Sequence, residues 1–197
     1  MCHSSNSSNQ FDTISFHVYD DHEIINNFAG FANDSTPPYP NATDAYTLYN
    51  SAANYDGPEE GQHYYDFRYG DVAFFVMDTR KYRSDVFTED AATRTMLGEK
   101  QLTALHEWLG HVNQTATFKV SLRLIVNEPE TGLLMLLAQF IVSSVPFTSL
   151  WQMDAATDSW AGFAREKASL LSVLHTVPNV VVLSGDCLLY TSDAADE

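Results

Sequence analysis

The run His17-Val18-Tyr19-Asp20-Asp21-His22-Glu23-Ile24-Ile25-Asn26-Asn27 places two carboxylates, an imidazole and a third carboxylate in sequence. They follow a short β-leaning run (Ile14, Phe16, Val18) and precede two amides. A strand over 14–19 that ends in Asp-Asp-His-Glu delivers oxygen and nitrogen donors to the rim of a sheet. In open α/β sheets ligands bind there, beyond the carboxyl ends of strands. Carboxylates, carbonyls and imidazole suit hard or borderline cations such as Ca, Mg, Mn, Fe and Zn. A solvated surface loop has the same composition, so the residues alone leave both readings open.

Outward from this stretch, residues 28–62 are dense in turn formers: Asn33 to Pro38, Pro40-Asn41 and Asp56-Gly57-Pro58. One short helix fits between, from Thr43 to Asn54. A long loop directly after the acidic run is either a rim over a site or a decorated surface loop. Residues 63–68 and 71–78 read as two strands around a turn at Tyr69-Gly70-Asp71. Val72 to Met77 is a continuous apolar run, as a strand buried on both faces should be. It ends in Asp78-Thr79-Arg80, again polar groups at a strand's carboxyl end. The Arg80 and Arg83 guanidiniums match phosphate oxygens in two-point contacts. The competing reading, an ion pair between Arg80 and a nearby Asp that holds the loop, carries more weight. Apolar residues at Leu102, Leu105, Trp108, Leu109 and Val112 share one face of a helix over 99–112, which puts His106 and His111 on its surface. A second helix runs from Ala161 to His175. Val180 to Leu183 is a buried strand that ends in Ser184-Gly185-Asp186.

The chain has 197 residues, enough for one sizeable core, with 45% hydrophobic and 13% aromatic residues. Its formal charge of −16 argues against nucleic acid or an anionic membrane as partner. No stretch reaches the roughly 18–20 apolar residues of a membrane span. Residues 1–15 lack the basic start and apolar core of a signal peptide. Four Asn-x-Ser/Thr sequons, at Asn6, Asn33, Asn41 and Asn113, suit a secreted or vacuolar path, so localisation stays open. Cys2 and Cys187 lie near the two ends and say nothing of redox compartment. Oligomeric state cannot be read.

The Asp20-Asp21-His22-Glu23 run with Asn26-Asn27 resembles the DDHE-x-x-NN segment of PhoD-like (alkaline phosphatase D) metallophosphatases. These are a branch of the calcineurin-like metallophosphoesterases. Tyr64 to Arg83 resembles the family's "F-R-x-G-D … hydrophobic strand … D-T-R-x-x-R" segment, and Leu97 to Leu102 its "L-G-x-x-Q" helix start. Trp160-Ala161-Gly162-Phe163 and Leu183-Ser184-Gly185-Asp186 resemble later segments in the right order. The resemblance covers roughly residues 16–119 and 141–186.

The resemblance implies an α/β fold, part of a four-layer α/β/β/α metallophosphoesterase sandwich. It also implies hydrolysis of a small phosphorylated substrate at a metal centre, with calcium and/or iron as the ions. By motif position Asp20, Asp21 and Asp186 are candidate metal ligands and His22 the candidate catalytic group. Arg80 and Asn27 are candidate substrate contacts, although Asn26 and Asn27 fit loop caps better. Glu23 is expected to fix His22. Two other functions stay open: a catalytically inactive remnant, and phosphodiesterase chemistry on the same scaffold.

Three segments depart from the family pattern. Val120 to Gln139 interrupts what would be one strand, "F-K-V-I-I-S-S-V-P-F". Val-Ser can be encoded by a splice-donor sequence and Gln by an acceptor ending, so 120–139 reads as a retained intron of a fungal-type gene. A true insertion is the alternative. Residues 187–197 read as an adapter-derived tail, and 1–15 as disordered or misassigned. The domain is then 16–186. Nothing before Asp20 resembles the family's earlier Asp-bearing motifs, so the expectation is an internal fragment with little activity of its own.

Overall fold

The structure is a computed structural model that describes residues 16–33, 35–69, 72–115, 120–121, 135–136, 139–148 and 155–185. A four-stranded mixed sheet organises them. Its strands are β1 (Tyr65–Tyr69), β2 (Val72–Val76), β5 (Gln139–Ser143) and β6 (Val180–Ser184), in the order β1-β2-β5-β6. β1 and β2 form the expected antiparallel hairpin, while β2, β5 and β6 run parallel. Parallel neighbours need long crossovers. Helix α2 (Gly98–Thr115) lies between β2 and β5, and α4 (Ala164–Leu174) between β5 and β6. A separate two-residue pair joins β3 (Val120–Ser121) to β4 (Met135–Leu136).

The pleat sorts the sheet into two faces. On one face Ala73, Phe75 and Ile141 meet Leu105, Trp108, Leu109 and Val112 of α2 and Leu170 and Leu174 of α4. The three-to-four spacing of α2 thus becomes a buried stripe. Each fully buried leucine contributes about 1.5–3 kcal/mol. The carboxylate of Glu166 on α4 accepts the amides of Met96 (3.2 Å) and Leu97 (3.1 Å), tying α4 to the entry of α2. His106 is not on the surface: its ring is half-buried and Nε2 is fully covered.

On the other face a row of rings crosses the strands. Phe16 stacks on Phe67 at 4.1 Å, Phe67 on Phe74 at 4.6 Å and Phe74 on Phe140 at 5.2 Å. Beyond it Val181 and Leu183 stay exposed. The described residues therefore supply the four-stranded sheet, the helices on one of its faces and the short β3–β4 pair.

Two expectations need correction, on the first strand and the first helix. Residues 16–20, the described part of the expected strand over 14–19, pair with no strand. Side chains satisfy that backbone instead: the His17 carbonyl accepts from Tyr46 Oη, Asn54 Nδ2 and Tyr65 Oη, and the His17 amide donates to Asn54 Oδ1. The first helix, α1, spans Tyr39–Tyr49 and a 3-10 turn follows at Ser51–Ala53. It starts earlier than Thr43 because Pro40 fits its first turn, where no amide is needed. Gln139 lies inside β5, opposite Ala73 and Val180, so the sheet begins within the segment read as an intron. Residues 122–134, 137 and 138 of that segment, with 1–15 and 186–197, lie outside the described residues. Among the described residues, no helix is long and apolar enough to cross a membrane.

Candidate functional site

Because β2, β5 and β6 are parallel, their carboxyl ends share one edge of the sheet. Asp78-Thr79-Arg80, Ser143-Ser144 and Ser184-Gly185 follow them there. The acidic run reaches the same edge. Ser144 Oγ donates to Asp20 Oδ1 at 2.8 Å. A carboxylate offers no proton, so Ser144 spends its hydroxyl hydrogen on Asp20. Thr79 Oγ1, 2.6 Å from Ser144 Oγ, is then the donor in that pair. Asp20, Val18, Val142, Ser144, Leu183 and Gly185 line a cavity of about 380 Å³ at this edge.

Arg80, fully buried, is bonded to Asp20 of that lining. Its Nε donates to Asp20 Oδ1 at 2.5 Å. Nη1 and Nη2 grip Asp158 at 2.5 and 3.1 Å, and Nη2 lies 3.4 Å from Asp21 Oδ1. Arg83 adds Nη1 to Asp158 at 2.7 Å and Nη2 to the Thr157 carbonyl at 2.7 Å. Burial alone would lower the Arg80 pKa, but the bonds and charges of Asp158 and Asp20 more than offset this and hold it raised. Burial and the neighbouring Arg80 charge lower that of Arg83. Burial pushes the Asp158 carboxyl up, and the two guanidiniums bring it below its ordinary value.

Asp21 is buried; Oδ2 accepts the Asn27 amide at 2.6 Å and its carbonyl accepts the Ile24 amide at 2.8 Å. Residues 21–27 are thereby folded into a tight turn, with Asn27 at φ 58°, a conformation asparagine tolerates better than most residues. Asn27 serves the turn through its backbone. His22 is exposed on it, with Nε2 3.1 Å from Asn26 Oδ1. The Glu23 carboxylate, expected beside His22, accepts the Asp20 amide at 2.8 Å. Asp186 lies outside the described residues.

The structure thus brings together Asp20, Asp21 and Arg80, with His22 and Asn27 on the adjoining turn. Arg80 is an ion-pair centre and not an open anion contact. A phosphate could reach its guanidinium only by displacing the carboxylates already bound to it. Two guanidiniums face three carboxylates (Asp20, Asp21 and Asp158), one negative charge in excess. The fourth carboxylate, Asp78, is absorbed by Tyr19 Oη and the amides of Arg80 and Lys81. Among the described residues no three His, Cys, Asp or Glu side chains are grouped to hold a metal ion. The described donors do not by themselves fit a metal centre: one oxygen of Asp20 is tied down and both of Asp21 are engaged.

Reading the sequence alone missed Asp158 and Ser144. Asp158 looks like one more polar loop residue, and 78 positions separate it from Arg80. No local pattern could have joined them. A larger cavity of about 570 Å³ lies beside α1, lined by Asp44, Asp56, Glu59 and Glu60 together with His63 and Lys81. None of Asp20, Asp21, His22, Asn27 and Arg80 lines it, so the strand-end cavity is the better candidate.

The class defined so far is an α/β domain with its polar groups gathered at the carboxyl edge of a mostly parallel sheet. The chain belongs to the PhoD-like phosphatase family, whose profile matches residues 7–188. A solved structure of PhoD is similar at 24% sequence identity and a TM-score of 0.57; the match covers 86% of this chain and 33% of that one. The chain therefore spans about a third of that protein's length, and the likeness is one of fold. No curated protein matches the chain.

Proposed function

We propose that the chain is one part of a metal-dependent phosphoester hydrolase acting on small phosphorylated molecules. Family membership supports the reaction class. The observation that carries the reading is the convergence of Asp20, Ser144 and the buried Arg80 at the carboxyl edge of the parallel strands. Its excess negative charge is a poor place for a phosphate dianion unless a cation is added, which supports metal dependence. Calcium and iron as the ions rest on the resemblance alone.

In this reading Asp20 presents its second oxygen, Oδ2, to the cavity, and Asp21 holds the turn. His22 is exposed on the turn beside Asn26; an imidazole there can contact a phosphoryl oxygen or protonate a leaving alcohol. The overall charge of −16 favours small esters over nucleic acid. Because the described donors form one side of a centre, the 197-residue chain alone should be slow.

The test compares this chain with the intact gene product that carries it, with calcium and iron added, on a chromogenic phosphate monoester and the matching diester. The expected result is turnover by the longer protein, monoester preferred, and at least tenfold less by the chain alone. Comparable rates would show that residues outside this chain do not carry the chemistry. Preference for the diester would move the reading to phosphodiesterase, and an inactive longer protein to a non-catalytic remnant.

A further inference from the structure

We propose that Asp158 is a positioning residue for the acidic turn, acting through the Arg80 guanidinium to set where the Asp20 and Asp21 carboxylates stand. The proposal deepens the phosphoester reading and rests on it for its kinetic test.

Asp158 ends the short helix α3 (Ala155–Asp158), 137 positions after Asp21. Its two oxygens hold Nη1 and Nη2 of Arg80, which fixes the plane of the guanidinium. With the plane fixed, Nε meets Asp20 Oδ1 and Nη2 faces Asp21 Oδ1. A planar group cannot rotate to satisfy one carboxylate without moving off the other. Arg83 and the Thr157 carbonyl secure Asp158 from behind. Ser159 Oγ accepts the Ala161 amide, and Trp160, fully buried, donates to Ser143 Oγ at 3.2 Å, so the loop that carries Asp158 is itself anchored to β5. The backbone of Arg80 is clamped too: its amide donates to Asp78 Oδ1 and its carbonyl accepts the Gly30 amide. Arg80 therefore transmits the position of Asp158 instead of absorbing it. The consequence is specific. Asp20 Oδ1 is held by Arg80 and Ser144, while Oδ2 has no hydrogen-bond partner among the described residues and is left for the cavity.

The test uses two variants of the chain, Asp158→Asn, which keeps shape and removes charge, and Asp158→Glu, which keeps charge and moves it. Backbone amide NMR shifts are compared with the parent. The expected result is that the amides of Asp20, Asp21 and Asn27 shift in both variants, while those of Leu105 and Leu109 in the core hold. Changes confined to residues 155–163 would overturn the proposal. Should Asp158→Asn fail to fold, Asp158→Glu retains the charge balance and decides alone. In the intact gene product, Asp158→Asn should lower kcat for a phosphate monoester at least tenfold with KM within twofold. Adding it to Asp20→Asn should cost less than the product of the two separate losses, because Asp158 acts largely through Asp20. Multiplicative losses would overturn the proposal. If the intact protein shows no turnover at all, the phosphoester reading fails while the amide shifts still decide the positioning role.

Discussion

Asp158 holds two buried guanidiniums, so its removal leaves charges that burial has stripped of water. Breaking such a pair from one side costs about 3–5 kcal/mol. We expect Asp158→Ala to lose stability of that order in urea unfolding, and Asp158→Asn less, because the amide oxygen still accepts one bond. The pH dependence has a fixed sign. The folded carboxyl of Asp158 titrates below its ordinary value, near 3.9 in an unfolded chain. Its stabilisation is then fully present above about pH 4 and is lost as pH falls through the folded value. Unfolding free energy should decline on acidification below pH 4, and the decline should be shallower in Asp158→Asn. Equal slopes in parent and variant would show that other carboxylates carry the acid sensitivity. None of this could be read from residue 158 alone. The Arg80 ion pair with an Asp that holds the loop was foreseeable in kind; that its partners are Asp20 and Asp158 was not.

The loop after the acidic turn is pinned to the segment after β2 by main-chain bonds. The amides of Gly30, Phe31 and Ala32 donate to the carbonyls of Arg80, Arg83 and Lys81. The approach is so close that a Cβ at Gly30 would stand 2.2 Å from the Lys81 carbonyl oxygen. Gly30→Ala must therefore push these strands of chain apart, and we expect it to cost about 1–3 kcal/mol, with faster hydrogen exchange at the Ala32 amide. An unchanged urea midpoint would contradict this packing. Elements with strong periodicity were legible from sequence: α2, the β1–β2 hairpin and β6 formed close to the expected bounds, although β6, expected buried, leaves Val181 and Leu183 exposed. The stretch before Asp20 was not, because alternation of Phe16 and Val18 signals an apolar face and not a partner strand. Tyr46, Asn54 and Tyr65 supply the partners that a ladder would have given. The segment read as an intron has its own test at this level. Excising 120–139 puts Lys119 where Gln139 now begins β5, so the excised chain should keep the four-stranded sheet and melt at a higher temperature. Loss of cooperative unfolding would mean the segment belongs to the domain.

Among the described residues the four-stranded sheet has helices on one face and an aromatic row, with exposed Val181 and Leu183, on the other. The α/β class was legible because apolar runs alternate with helical stripes. Likewise the ordered motifs disclosed the family, while the ligand set of a metal centre depends on side chains brought together from distant positions. What unites the described residues is the edge where β2, β5 and β6 end and where Arg80 presents Asp20. The measurement that tests this most directly is steady-state hydrolysis of a chromogenic phosphate monoester by the intact gene product and its Asp20→Asn variant, both confirmed folded. A loss in kcat of at least a hundredfold, about 2.7 kcal/mol of transition-state stabilisation, is the predicted result; a variant within threefold of the parent would contradict the placement of the active site at this edge.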